Sequence, residues 1–179
     1  MGKVLQFSRF LNQQREIFMA IPVYLFLYDE GGSIVKGSVD VLGREGSIEV
    51  LELMQTVTMP VDHLTGKVTG KRVHTPYAFE KVVDCATPYL YQSLTSGKVF
   101  KKAEFVFYKI NYSGHEEAYF KTILENVRVQ GINSFLLDSK DPRWEKHTHH
   151  EYIDISYEEI IWHYLDGNII HSDSWKKRA

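Results

Sequence analysis

The chain has little with which to build a disulfide-stapled, membrane-spanning or polyanion-binding protein. A single cysteine, Cys85, excludes an internal disulfide and leaves the redox compartment undecided. No apolar run approaches the roughly 18–20 residues a helix needs to cross a bilayer. Twenty-one Lys and Arg against 23 Asp and Glu leave a net charge of −2, so neither nucleic acid nor an anionic membrane is expected as partner, and no direct membrane insertion is expected. There is no internal repeat, low-complexity tract or clear linker. A chain of 179 residues reads most simply as one domain with its own core.

The pattern that is present is mostly strand. Val23 to Tyr28 is apolar on both alternating faces, and Ala103, Phe105 and Phe107 alternate with Val106, Tyr108 and Ile110 in the same way. A solvated sheet would show one polar face, so a second layer or another subunit must cover these strands. Val73, Tyr77 and Phe79 keep a period of two, with Arg72, His74 and Glu80 on the other side. The apolar phase slips between Val50 and Leu51. It slips again between Ile153, Ile155, Tyr157 and Ile160, Trp162, Tyr164, where a bulge near Glu158–Glu159 would reconcile the two phases. Such slips fit a curved, closed sheet.

One helix is signalled: Thr87 as cap, Pro88 in the first turn and Gly97 at the C-terminus, with Tyr89, Leu90 and Leu94 inward and Gln92, Ser93 and Ser96 outward. Asp166-Gly167 reads as a tight hairpin and Asn111 to Gly114 as another turn. The expected fold is mainly β: a compact antiparallel β-barrel with one α-helix and extended loops. Two loops stand out. Asp29 to Gly46 holds five glycines, and Met59 to Lys71 is long for a hairpin connection and mixed in polarity.

Candidate chemistry is thin. His147, His149 and His150, beside Glu145 and Glu151, offer imidazoles on an extended segment, but no cysteine or second ligand pair stands at zinc spacing. Cys85 would need a base, and His74 lies on the preceding strand with no sign that the two approach. His171, Ser172, Asp173 and Ser174 alternate faces on a strand and do not make a triad. Glu158-Glu159 and Asp154 read as solvated or paired carboxylates rather than glycosidase acids. GREGS and TGKVTGK lack P-loop spacing. No catalytic residue, metal ligand or cofactor is therefore assigned.

Five blocks in order resemble one family. They are Met19-Ala20-Ile21-Pro22-Val23-Tyr24; KGSVDVLGREGSIEV from Lys36; HTPYAFEKVVDCATPYLYQSLTSGK from His74; LENVRVQGIN from Leu124; and DPRWEKHTHHEYIDISYEEIIWHYLDGNIIHSDSW from Asp141 to Trp175. Together they resemble the haemolysin-coregulated protein (Hcp) family, the tube subunit of bacterial type VI secretion. The resemblance divides the chain into an extension, residues 1–18, and an Hcp-like β-barrel domain, residues 19–179. It implies homo-hexameric rings that stack into a tube inside a contractile sheath in the cytoplasm and meet a spike protein. The tube is then exported without a cleavable signal peptide, carrying small effector proteins in its lumen. The chain ends four residues after Trp175, leaving no room for the appended toxin domain of some family members. The Met59–Lys71 region would contribute the ring-stacking loop, with Val61, Asp62, His63, Leu64, Thr65, Lys67 and Lys71 as its contact residues.

In the extension, Phe7, Phe10, Leu11, Gln14, Ile17 and Phe18 fall near helical spacing. That fits either a short amphipathic helix docking on a neighbour or, more simply, an unstructured stretch from an upstream start. Two other function classes stay open. One is a β-barrel hydrolase or metal-dependent enzyme using His74, Cys85 or His147–His150. The other is a soluble secreted ring acting as a binding module.

Overall fold

Strand β9, Glu116–Phe135, organises the molecule. A computed structural model describes residues 21–144 and 147–174, so the 1–18 extension and Glu145 lie outside the described residues. In chain order the elements are β1 Val23–Tyr28, β2 Ile34–Val35, β3 Ile48–Val50, β4 Glu52–Met54, β5 Val57–Thr58, β6 Val73–His74, β7 Tyr77–Val82, α1 Thr87–Ser96, β8 Phe100–Ile110, β9, β10 His150–Ser156, β11 Glu159–Tyr164 and β12 Ile169–Ser174. Among the described residues the fold is mainly β with one α-helix, as the sequence leads one to expect.

β9 pairs with β8 along one edge, from Phe100↔Val127 to Ile110↔Glu116. Its other edge is shared: β11 takes the first part and β10 the second. The change-over falls at Asn126, whose φ is 52°, a left-handed conformation that asparagine tolerates. Facing it, the chain leaves strand conformation at Tyr157–Glu158. The expected bulge near Glu158–Glu159 is therefore a strand break, and the register shift itself lies between Asp154 and Ile155. Ile153, Ile155 and Tyr157 before the break and Ile160 after it are all buried, so the break is what changes the apolar phase.

The slip at Val50–Leu51 has a related cause. β3 pairs with β1 and β4 pairs with β7, with Leu51 between them and its N–H bonded to the Glu80 carbonyl at 2.8 Å. One short stretch of chain thus changes partner from one edge to the other. The expected closed barrel is corrected here. The hydrogen-bonded path runs β2-β1-β8-β9-β10-β7-β4 and stays open, its ends bridged by covalent chain because β3 and β4 are one run that cannot pair with itself. Leu25, Leu27, Ile48, Tyr77, Phe79, Phe105, Leu124, Val127 and Ile153 fill the space it encloses.

Several side chains sit differently from the sequence expectation. Val73 is exposed and His74 buried, because Thr75–Pro76 interrupts the strand and resets the alternation. α1 has Ala86 at its N-cap, and Thr87 is its first residue. Thr87 Oγ1 instead donates to Glu151 at 2.7 Å and accepts from Lys81 at 3.1 Å. Leu90 is inward as expected and Gly97 closes the helix at φ 71°, but Tyr89 faces out and Ser93 in.

Gly37 carries a sharp packing demand. A Cβ there would lie 2.3 Å from the Ser47 carbonyl oxygen and 2.6 Å from Ile48 Cγ1, closer than atoms can approach. Gly37→Ala is expected to cost about 1–3 kcal/mol as the loop shifts. Urea denaturation would show it as a lower midpoint at unchanged slope.

Candidate functional site: an exposed arm clamped at its root

The Met59–Lys71 connection is an ordered ribbon. β5 and β6 pair as Val57↔His74 and Thr58↔Val73, forming a two-stranded sheet apart from the main one. The ladder continues through a Val61↔Val68 bridge, with Thr69 N–H donating to Pro60 at 3.0 Å and Asp62 N–H to Lys67 at 2.8 Å. Asp62 shapes the tip: one carboxylate oxygen accepts the N–H groups of Leu64 and Thr65, each at 2.8 Å. Those donors hold the Asp62 carboxyl below its ordinary range. Gly66 closes the turn at φ 68°.

Of the seven residues singled out from the sequence, Val61, Asp62, His63, Leu64, Thr65 and Lys67 lie on this outer part of the arm, while Lys71 stands nearer its root, beside Arg72; Leu64 at the tip is 97% exposed. Sequence reasoning missed the apolar side chains along the ribbon. Val57, Met59, Val68 and Val73 are exposed as well. The mixed polarity of the segment hid them among threonines and lysines.

The root of the arm is held by polar contacts. On the outgoing leg, Gln55 donates to the Tyr157 hydroxyl at 3.4 Å. On the returning leg, Arg72 grips the Asp173 carboxylate through Nε and Nη2 and reaches the Ser174 carbonyl at 3.2 Å. His74 lies between, Nε2 on Asp173 and Nδ1 on the Tyr157 hydroxyl, both at 2.9 Å. A carboxylate only accepts, so His74 Nε2 donates to Asp173, and in the neutral ring the Tyr157 hydroxyl donates to Nδ1.

Burial pushes the Asp173 carboxyl up, but Arg72 and His74 outweigh it and hold it below the usual range. A carboxyl lowered on folding adds stability above its unfolded value, about pH 4. That contribution is lost as pH falls through the folded value. The stability gap between the wild type and Asp173→Asn is thus expected to close on acidification, read from denaturation midpoints between neutral and strongly acidic pH. Parallel curves would contradict it.

Of the other sequence candidates, His147 and His150 meet, with ring centroids 5.8 Å apart, but they gather no common set of chemical groups with Cys85, His149 or His171. Cys85 donates to the Lys36 carbonyl at 3.2 Å and accepts from Ser38, whereas His74 bonds Tyr157 and Asp173. His150 bonds Glu80 at 2.6 Å, His149 bonds Ser134 at 2.7 Å, and His147 packs on Trp144. His171 stacks on Trp162 with rings 8° apart. Among the described residues, no group of three His, Cys, Asp or Glu side chains is placed to hold a metal ion.

Arg44 went unnoticed in the glycine-rich loop, where one arginine among exposed residues gives no pattern. It is buried, with its guanidinium 3.7 Å over the Tyr108 ring and Nη2 bonded to Glu116 at 2.7 Å. Burial opposes its charge, yet Glu116 and the nearby tyrosines raise its pKa. It fastens that loop over one end of the sheet, while Leu42 at the loop tip remains exposed.

Comparison with known proteins gives concordant results. The family described as "Type VI secretion system effector, Hcp" matches residues 24–164. The "Major exported protein" of Pseudomonas aeruginosa is 33% identical over 134 residues, spanning 75% of this chain and 78% of that protein. Among solved structures, the Hcp1 protein from the E. coli EAEC 042 pathovar is 51% identical, with a TM-score of 0.78 over 87% of this chain and 99% of its own. The secreted protein Hcp3 from Pseudomonas aeruginosa, 24% identical, shares the fold with a TM-score of 0.70, covering 88% of this chain and 100% of its own.

Proposed function

The chain belongs to the Hcp family of type VI secretion proteins, and from that premise we propose that it is the ring subunit of a secretion tube. Copies associate head to tail into a homo-hexamer, and rings stack into a tube within the sheath and below the spike. The tube assembles in the bacterial cytoplasm and leaves without a cleavable signal, with small effector proteins in its lumen. Residues 19–179 serve as the ring domain and residues 1–18 as an accessory segment.

Physical chemistry supports this reading. A heterologous contact repeated by rotation closes into a ring, and the same logic along the axis gives an open stack. Among the described residues β12 pairs only with β11, and Ile169 and Ile170 on it are exposed, so a neighbour's strand can cover that edge.

The observation that carries the proposal is the arm. A lone two-stranded ribbon is marginal in water, yet this one is built on an ordered tip and shows apolar Val57, Met59, Val61, Leu64 and Val68 to solvent. Burial of those side chains against the next ring supplies a contact modest enough to form on a template and come apart. In negative-stain microscopy, Leu64→Asp and Val61→Asp are expected to yield single rings where the wild type yields tubes, at unchanged particle mass in solution. Wild-type tube lengths from both variants would refute the assignment of the arm to stacking.

A further inference from the structure

The arm stands clear of the main sheet, so its direction must be set at its root. Both legs of the root meet Tyr157, and the returning leg also meets Asp173. Gln55 on the outgoing leg reaches Tyr157, and Arg72 and His74 on the returning leg reach Asp173, with His74 also bonded to Tyr157. Tyr157 sits where the chain breaks between β10 and β11, and Asp173 stands near the end of β12. The contacts are charge-assisted and two-pronged, the kind that fixes angle as well as distance. They are also shielded: the His74 side chain is 3% exposed and that of Asp173 15%.

We infer that Arg72, His74 and Asp173 form a clamp that holds the arm in one direction relative to the sheet, with Asp173 as its positioning residue. As a device for ring contact, the clamp rests on the stacking role assigned to the arm above. As a device for arm direction, it stands alone.

The energetic logic follows from ordering entropy. An arm free to swing must lose that freedom each time it docks, and a direction fixed beforehand removes that cost from every contact along the tube. The clamp also ties the arm to β12, whose second edge is open among the described residues. A neighbour that orders β12 therefore also steadies Asp173, so that ring closure favours a stack-ready arm.

The test uses the single cysteine as one reporter. Cys85 is exposed, and a second cysteine at Thr65 on the arm tip completes a spin-label pair in the full-length chain, diluted into unlabelled copies. The wild-type distance distribution is expected to be narrow. Asp173→Asn and Arg72→Ala should each widen it at least twofold, and the double variant should add little, because the two side chains act as one unit. At neutral pH without denaturant, far-UV circular dichroism and particle mass should not change, because the stability lost with Asp173 leaves the fold intact, and that separates lost direction from unfolding. The reversed pair, Arg72→Asp with Asp173→Arg, should recover part of the narrow distribution.

A wild-type distribution as broad as the variants', or single variants that leave it narrow, would overturn the clamp. Widening together with loss of tubes would support the whole inference. Widening with tubes of wild-type length would keep the clamp as a conformational fact but overturn its role in stacking. The same microscopy on Leu64→Asp then decides whether the arm has any part in stacking.

Discussion

Lys81→Met is expected to destabilise the fold by about 3–5 kcal/mol, among the largest effects of any single change. Lys81 is 0% exposed, at an inward position that continues the alternation of Tyr77 and Phe79. Its ammonium lies 2.7 Å from Asp84 and 2.7 Å from Glu151, and bonds the Val82 carbonyl and the Thr87 hydroxyl. One cation thus serves two carboxylates. Glu151 is itself fully buried and already has one oxygen, Oε2, with no hydrogen-bond partner. Removing the lysine leaves an uncompensated charge in a dry interior, where the desolvation of the remaining ion is no longer offset.

The control distinguishes charge from shape. Lys81→Met combined with Glu151→Leu removes both buried charges and should recover most of the loss, leaving Asp84 bonded to the N–H groups of Ser38 and Ala86. Chemical denaturation of the single and double variants reads the result. A single variant within about 1 kcal/mol of wild type would mean the buried pair is not formed in solution.

Phe105→Ala is expected to cost about 3–5 kcal/mol. Phe105 is 0% exposed in the middle of β8, its ring 4.6 Å from Tyr77 and 5.4 Å from Phe79 by centroid. Those two rings come from β7, across the enclosed core from β8, so Phe105 joins the two sides of the sheet. Truncation leaves a cavity between strands whose backbones are fixed by their ladders, which limits relaxation. Phe105→Leu should lose much less. Equal losses for Ala and Leu would indicate that ring geometry rather than filled volume matters here.

The features legible in the sequence were those with local causes. Val23–Tyr28 is β1 from end to end because its apolar alternation is uninterrupted. The turn expected at Asp166-Gly167 is there but spans four residues, Leu165 to Asn168, because Gly167 and Asn168 are the pair that takes positive φ; Gly97 ends α1 through the same tolerance. Length and mixed polarity marked the Met59–Lys71 connection as an unusual loop, equally readable as a mobile surface segment, and the contact role came from the family resemblance alone. The family came from spaced blocks rather than from physics.

What escaped depended on partners distant along the chain. The alternation of Tyr77 and Phe79 points Lys81 inward, but a lysine there reads as a break in the pattern until Glu151, distant on β10, supplies its buried partner. Nothing local places His74 inside, since Tyr157 and Asp173 draw it there. The shielding of Arg44 depends on Tyr108 and Glu116 near a distant turn. The open path of the sheet was hidden because a strand that changes partner at Leu51 and one that closes a barrel leave the same phase slip.

The most direct measurement is the absolute mass of the purified full-length protein by light scattering on a sizing column. The ring reading predicts six times the 20.8 kDa chain mass, with longer stacks on concentration. A strict monomer across the whole concentration range would contradict it.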